Sequence, residues 1–260
     1  MHQKLEKDQQ NDSMICSLAR SYHALHSYYQ LQQIIRPFYP NKVNDLSKTE
    51  LHRLINNFLL KYYKGETTLK AKLTELFINA QVTAAFEIKV CRSRADFLAI
   101  NGDSKSFEIK SELDNLTKLA KQVSDYEKVF DYNYIVVDQV HYKRALTIIP
   151  DHYGIYILEN MHLIELRKGE RNVLHDISRQ LDLFTKKEFE SFFRIPGTTK
   201  AEVLANFTDA EINERFKDML KRRYAKRWNF LVKNSPKIHP IDYQFFFQHN
   251  ISPDVIYQVA

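Results

Sequence analysis

Three charged side chains, Asp96, Glu108 and Lys110, interrupt the apolar runs of the stretch SRADFLAINGDSKSFEIKSELDN, residues 93–115. Apolar residues flank Asn101-Gly102, a strong signal for a hairpin turn. Side chains alternate between faces along a strand, so Phe107 and Ile109 share one face and Glu108 and Lys110 the other. A three-residue loop at Asn101–Asp103 sets Asp96 directly opposite Glu108; a two-residue loop sends them to different faces. Facing each other, the carboxylates stand about 5 Å apart and repel by roughly 3 kcal/mol at an effective dielectric of about 20. A divalent cation is the natural compensator. Mg²⁺ is hard, takes oxygen ligands, and is commonly held by one or two carboxylates plus phosphate oxygens. Lys110, on the face of Glu108, would then stabilise phosphate charge or orient a water. Glu and Lys also alternate on merely solvated strands, and the D…ExK spacing alone arises by chance.

Other side chains bear on the same chemistry. Glu66 lies one turn before Leu69 and Leu73, on the face expected to pack inward. It is either a first-turn glutamate that favours the helix dipole or a carboxylate directed at the same metal. Gln122 and Tyr126 are four apart, hence on one helix face, with Lys118 one turn earlier.

The elements that must position these residues can be read from periodicity. Residues 1–13 are polar and expected to fray, and 14–38 read as one helix ending near Pro37 and Pro40. LSKTELHRLINNFLLKYY is a helix with a Ser47/Glu50 capping box and Leu51, Leu54, Ile55, Phe58, Leu59 and Tyr62 at three- and four-residue steps. A further helix is expected from about Glu66 to Ala80, with Leu69, Leu73, Leu76 and Phe77 on one face. From about Thr83 the texture turns to short β-rich runs: FEIKV, RADFLAIN and KSFEIKS. A helix follows over about 115–130, with Leu116, Leu119, Ala120, Val123 and Phe130 inward, and then the strand YIVV. Strand, helix, strand is the pattern of a βαβ crossover. A short helix near 140–148 precedes GIYIL and HLIEL, a second hairpin across Glu159-Asn160. From Asp176 onward the pattern is helical, with capping spacings at Thr199/Glu202 and Thr208/Glu211. The expected architecture is α/β, a mixed sheet over 64–168, between a helical segment at 1–63 and a helical, basic region at 169–260.

Together these residues resemble the PD-(D/E)xK nuclease superfamily, with its restriction-endonuclease-like core. The likeness is carried by an acid on a leading helix (Glu66), Asp96 on one strand, the Glu108-Ile109-Lys110 triplet on the next, and a helix bearing Gln122-x-x-x-Tyr126. The wording from Arg94 to Val137 is similar to a bacterial and phage-associated branch, over about residues 50–230. Ala95 stands where the superfamily's name has proline. Glu87, on the strand before the hairpin, could replace or supplement Glu66. The resemblance implies a Mg²⁺- or Mn²⁺-dependent deoxyribonuclease. Asp96, Glu108 and the Ile109 main-chain carbonyl would hold the metal, with Glu66 or Glu87 completing the set. Lys110 would position the attacking water, which the metal activates. Gln122, Tyr126 and Lys118 would support the site or touch DNA. A role in phage defence or within mobile elements is implied by analogy alone.

Bulk composition is that of a folded protein, and its mild basicity is compatible with nucleic acid or with an anionic surface. The 260 residues carry 38 Lys+Arg and 32 Asp+Glu, a formal net charge of +6, with 44% hydrophobic residues. Only 5 glycines are present, and neither GxGxxG nor a P-loop motif occurs. Cys16 and Cys91 are isolated, the pattern of reduced thiols, and the polar N-terminus lacks a signal peptide's apolar core, so a cytoplasmic protein without membrane spans is expected. No HExxH or GxSxG occurs. Between Arg215 and Lys233, the cations Lys221, Arg222, Arg223, Lys226 and Arg227 interleave with Tyr224, Trp228 and Phe230, a footprint for phosphate contact with base stacking. The alternative is an amphipathic helix docked through Ile212, Phe216 and Leu220. The aromatic tail, IDYQFFFQHNISPDVIYQVA, is expected to be buried, on the domain or in a dimer or other protein contact. Two competing functions follow: a catalytically silent nucleic-acid-binding module on the same fold, or a protein-interaction scaffold.

Overall fold

The computed structural model describes residues 2–160, 162–194 and 199–258, with side chains from residue 11 onward. In chain order the helices before the sheet are α1 (His2–Ser21), α2 (Tyr28–Ile35), α3 (Lys48–Tyr62) and α4 (Glu66–Ile78). Strands β1 (Thr83–Val90), β2 (Ser93–Asn101) and β3 (Asp103–Lys110) follow, then α5 (Leu119–Glu127), β4 (Tyr132–Val137), α6 (Gln139–Leu146), β5 (Gly154–Glu159) and β6 (His162–Arg167). The chain continues as α7 (Ile177–Leu181), α8 (Lys186–Phe193), α9 (Lys200–Asn206), α10 (Asp209–Asn234), α11 (Tyr243–His249) and α12 (Pro253–Gln258). The fold is mixed α/β with helical flanks at both ends. It divides into two compact units: residues 1–78 with 230–260, and residues 79–229.

In the first unit, Leu18, Leu31, Ile35, Val43, Leu51, Ile55 and Leu59 form a core. The Ser47/Glu50 capping box starts α3 as its sequence dictates. Two expectations need correction. The N-terminal segment is helical from His2 rather than frayed, in keeping with the good helix formers Lys4, Leu5, Glu6 and Lys7. The single helix expected over 14–38 is split, because Ser27 caps a new helix by accepting from Gln30 N, and Gln30 answers to the Ser27 N–H at 2.9 Å. In α4, Leu76 is exposed rather than inward. The aromatic tail is buried through Tyr243, Phe246, Phe247 and Tyr257.

The second unit is built on one six-stranded sheet, ordered β1-β2-β3-β4-β5-β6. β1, β2 and β3 pair antiparallel, β3–β4 and β4–β5 are parallel, and β5–β6 is an antiparallel hairpin. The two parallel joints are βαβ crossovers through α5 and α6, which bury Leu119, Val123 and Ala145 against Ile135, Val137 and Ile155. The opposite face is aromatic. Phe107 stacks on Tyr134 at 4.9 Å, and Phe97 meets Trp228 of α10 at 6.1 Å. Helix α5 begins four residues later than its pattern predicts. Asp114 accepts from Ser111 N, and Asn115 from Thr117 N, so these side chains tie down a turn in place of the first helical turn. Ala120 is consequently exposed.

Candidate functional site

The turn at Gly102 (φ +74°) is of odd length: Asn101 pairs with Asp103, and the register runs on to Phe97 opposite Phe107. One further step in that register sets Asp96 opposite Glu108. There the Asp96 carboxylate accepts from Ile109 N at 2.7 Å. On the other side of β2, the pairs Phe86–Phe97 and Ile88–Ala95 bracket Glu87 and leave it opposite Asp96. Carboxylate oxygens of Glu87 and Asp96 lie within 4.8 Å of one another. Three adjacent strands thus carry a row of acids, Glu87–Asp96–Glu108. Glu87 sits mid-strand in the left-handed region, φ +59°, a conformation that costs a non-glycine residue about 1–3 kcal/mol and gathers at functional sites.

Glu108 is only 2% exposed, and each of its oxygens has a partner. Lys110 Nζ pairs with Oε1. The Tyr126 hydroxyl stands 2.6 Å from Oε2 and 2.6 Å from the Arg94 carbonyl. A phenol has one proton for these two acceptors, so Tyr126 ties the β2 backbone to the Glu108 carboxyl and can yield to either. Burial, then the charge and hydrogen bond of Glu108 and the charge of Asp96, push its pKa far above the ordinary phenol value, so it stays a neutral donor. Tyr126 is buried, and its contact with Glu108 is made from α5. Ile109, between the two site residues of β3, pairs with Val136 of β4. Glu66 belongs to the first unit, where it opens α4 and pairs with the buried Lys70 at 2.6 Å.

Lys118 and Gln122, expected near the site, line a concavity of about 530 Å³ together with Lys89, Arg92, Arg94 and Lys121. Gln122 Oε1 is buried there without a hydrogen-bond partner among the described residues. The three cations from the β1–β2 turn escaped notice in the sequence. Their signal was local: positions 89, 92 and 94 are basic, directly before Asp96.

The basic footprint on α10 divides. Arg223 binds Glu188 through Nε at 2.8 Å and Nη2 at 2.5 Å, and also the Leu183 carbonyl. With those bonds and the Thr185 cap, the Glu188 carboxyl is lowered to about 2 against its desolvation. Arg222 covers the Phe192 ring. Lys221 is half-buried, and Lys226 and Arg227 are exposed. Trp228 is 1% exposed and packed on Phe97, so the base stacking expected of it is corrected to core packing. Ile212, Phe216 and Leu220 are buried as the amphipathic pattern required.

Among the described residues no helix is long and apolar enough to cross a membrane. No curated protein matches the chain. Among solved structures, it is similar to the SPO1766 protein of unknown function from Silicibacter pomeroyi, at 17% identity and a TM-score of 0.35, over 53% of this chain and 89% of that one. A family profile described as bacteriophage P4 protein cII matches residues 60–246, a span that takes in the whole sheet, the acid row and α10. With that span well over half of its length, and in keeping with the phage association expected of its wording, the chain belongs to the bacteriophage P4 protein cII family.

Proposed function

We propose that the protein is a metal-dependent nuclease of the PD-(D/E)xK kind acting on DNA, built on residues of the second unit. The observation that carries this reading is the row Glu87–Asp96–Glu108 in register across three strands, with Lys110 paired to Glu108. The donor set is all carboxylate oxygen, which fits a hard divalent cation such as Mg²⁺ or Mn²⁺. Asp96 and Glu108 would hold it, with Glu87 as the third acid and the Ile109 main chain between them. A bound ion of this kind polarises the phosphodiester and lowers the pKa of the attacking water.

The chain's own residues supply the rest. Tyr126 fixes the Glu108 carboxyl from α5, and the Asp96–Ile109 hydrogen bond fixes Asp96 across the hairpin. Lys110, 8% exposed, would hold a water against the phosphate and neutralise charge as it develops.

The test is incubation of the protein with single-stranded, duplex and branched DNA, with and without Mg²⁺ or Mn²⁺, beside Lys110→Met. Cleavage that needs metal and is lost in the variant supports the reading. Binding without cleavage, equal in both proteins, sinks it and leaves a silent nucleic-acid-binding module.

A further inference from the structure

The β1–β2 register that aligns the acids also sets Lys89 opposite Arg94. Like charges directly across a ladder destabilise it, so this pair calls for an anion. Lys89 and Arg94 lie two residues along from Glu87 and Asp96 on the same face, about 6.6 Å at the rise of a strand, roughly one extended nucleotide step. Arg92 stands in the turn between them, and Lys118 and Lys121 approach from α5. Arg94 reaches Glu87 only at 3.7 Å, and Lys121 reaches Asp125 at 3.7 Å. Among the described residues no carboxylate pairs with Lys89, Arg92 or Lys118.

The concavity these five cations line contains Ser93 and Gln122, no acid and no apolar side chain. A second concavity of about 660 Å³ shares Lys89 and Arg92 and continues past Lys128 and Arg179, with Asp125 and Asp182 also in its lining. Protein partners are recognised through apolar anchors, and none lines the first hollow. Point cations in series suit a regularly charged sugar-phosphate chain.

We propose that this groove binds the backbone of one nucleic-acid strand, with the phosphate next to the one acted upon held among Lys89, Arg92 and Arg94. The identity of that neighbouring phosphate rests on the nuclease reading; binding in the groove does not. It makes the β1–β2 turn, rather than α10, the principal phosphate contact.

The experiment is fluorescence anisotropy of a labelled single-stranded oligodeoxynucleotide with the full chain, in EDTA, over a salt series. The test variant is Lys89→Gln/Arg92→Gln/Lys118→Gln. The charge-matched control is Lys143→Gln/Arg144→Gln/Lys168→Gln, at exposed positions elsewhere on the same unit. The test variant is expected to weaken binding on the order of 10–100-fold and to reduce the slope of log K against log salt by about 2, with the control within about twofold of wild type. Affinity and slope like the control's overturn the proposal, as does a wild-type chain that does not bind. Displacement by polyglutamate as readily as by unlabelled oligonucleotide overturns the assignment to nucleic acid. If the triple variant misfolds by circular dichroism, Lys118→Glu alone, at an exposed position, must still weaken binding. EDTA separates the two readings: binding lost in the variant while wild type fails to cleave in Mg²⁺ keeps the groove and removes the nuclease, and the reverse pattern removes the groove alone.

Discussion

Glu108 in the second unit and Asp242 in the first are both buried carboxylates, 2% and 3% exposed, and both take hydrogen bonds from tyrosine hydroxyls. Asp242 Oδ2 accepts from Tyr22 at 2.9 Å, Tyr257 at 2.8 Å and Asn56 at 3.2 Å. Every one of these donors is neutral. Burial therefore prevails over the hydrogen bonds and raises the Asp242 carboxyl to about 6. The nearby His52 ring, whose Nδ1 meets the Tyr22 hydroxyl at 2.8 Å, is pushed down to about 3 by desolvation and then by the charge of Lys48, so it brings no charge. Glu108 has one tyrosine and one lysine, and stands in a row of acids beside a cationic hollow. A carboxylate saturated with neutral donors locks packing. A buried carboxylate held by an ion pair depends instead on a single charged partner, and losing that partner is costly.

The largest effect should come from Asp242→Leu, which strips the acceptor from three buried donors. It should destabilise the first unit by about 4 kcal/mol, read as faster amide exchange in α3 and α11. Exchange unchanged there would remove the structural role given to Asp242. Next, Glu108→Gln leaves Lys110 without its charge partner and should cost about 3 kcal/mol in urea unfolding.

The two carboxylates also separate by pH. With a folded value of about 6 against an ordinary carboxyl value of 3.8, Asp242 binds its proton more tightly in the native state. Its contribution to stability is therefore greatest below about pH 4 and falls as pH rises through 6, by about 3 kcal/mol. His52 and His239, lowered to about 3 and about 4, act oppositely, losing stability as pH falls below 6.5. Asp242→Asn isolates the first effect: the stability of wild type minus that of the variant should drop between pH 4 and pH 7, and a flat difference would contradict the assignment. Tyr126→Phe, which deletes one hydroxyl shared between Glu108 and Arg94, should cost about 1 kcal/mol and slow cleavage.

Much of this contrast was visible in the residues and some was not. The shared face of Glu108 and Lys110 follows from period-two alternation, and the capping boxes at Ser47, Thr199 and Thr208 from local donor counting, whereas a two- and a three-residue loop at Gly102 fit the sequence equally. The split between α1 and α2 hangs on one serine inside a helical pattern, too weak a signal to outvote its neighbours. Basic residues surround Trp228 in sequence, yet on a helix they point elsewhere and leave the ring to the core. The β1–β2 cations are hard to recognise for a related reason. Lys89 and Arg94 become one site with Lys118 and Lys121 only when a strand register and a crossover helix bring them together, and composition carries no trace of that. Nor could sequence assign the Asp242 network, whose members are about 200 residues apart along the chain.

The most direct test of the account uses Glu108→Leu/Lys110→Met. Replacing a buried ion pair with apolar residues of similar volume is expected to leave stability within about 1 kcal/mol of wild type, so that any loss of activity belongs to the site rather than to the fold. Measured on the same DNA with Mn²⁺, wild type should cleave, the double variant should not, and EDTA should abolish the difference. Cleavage retained by a folded double variant, or none by wild type in any divalent metal, would contradict the central claim.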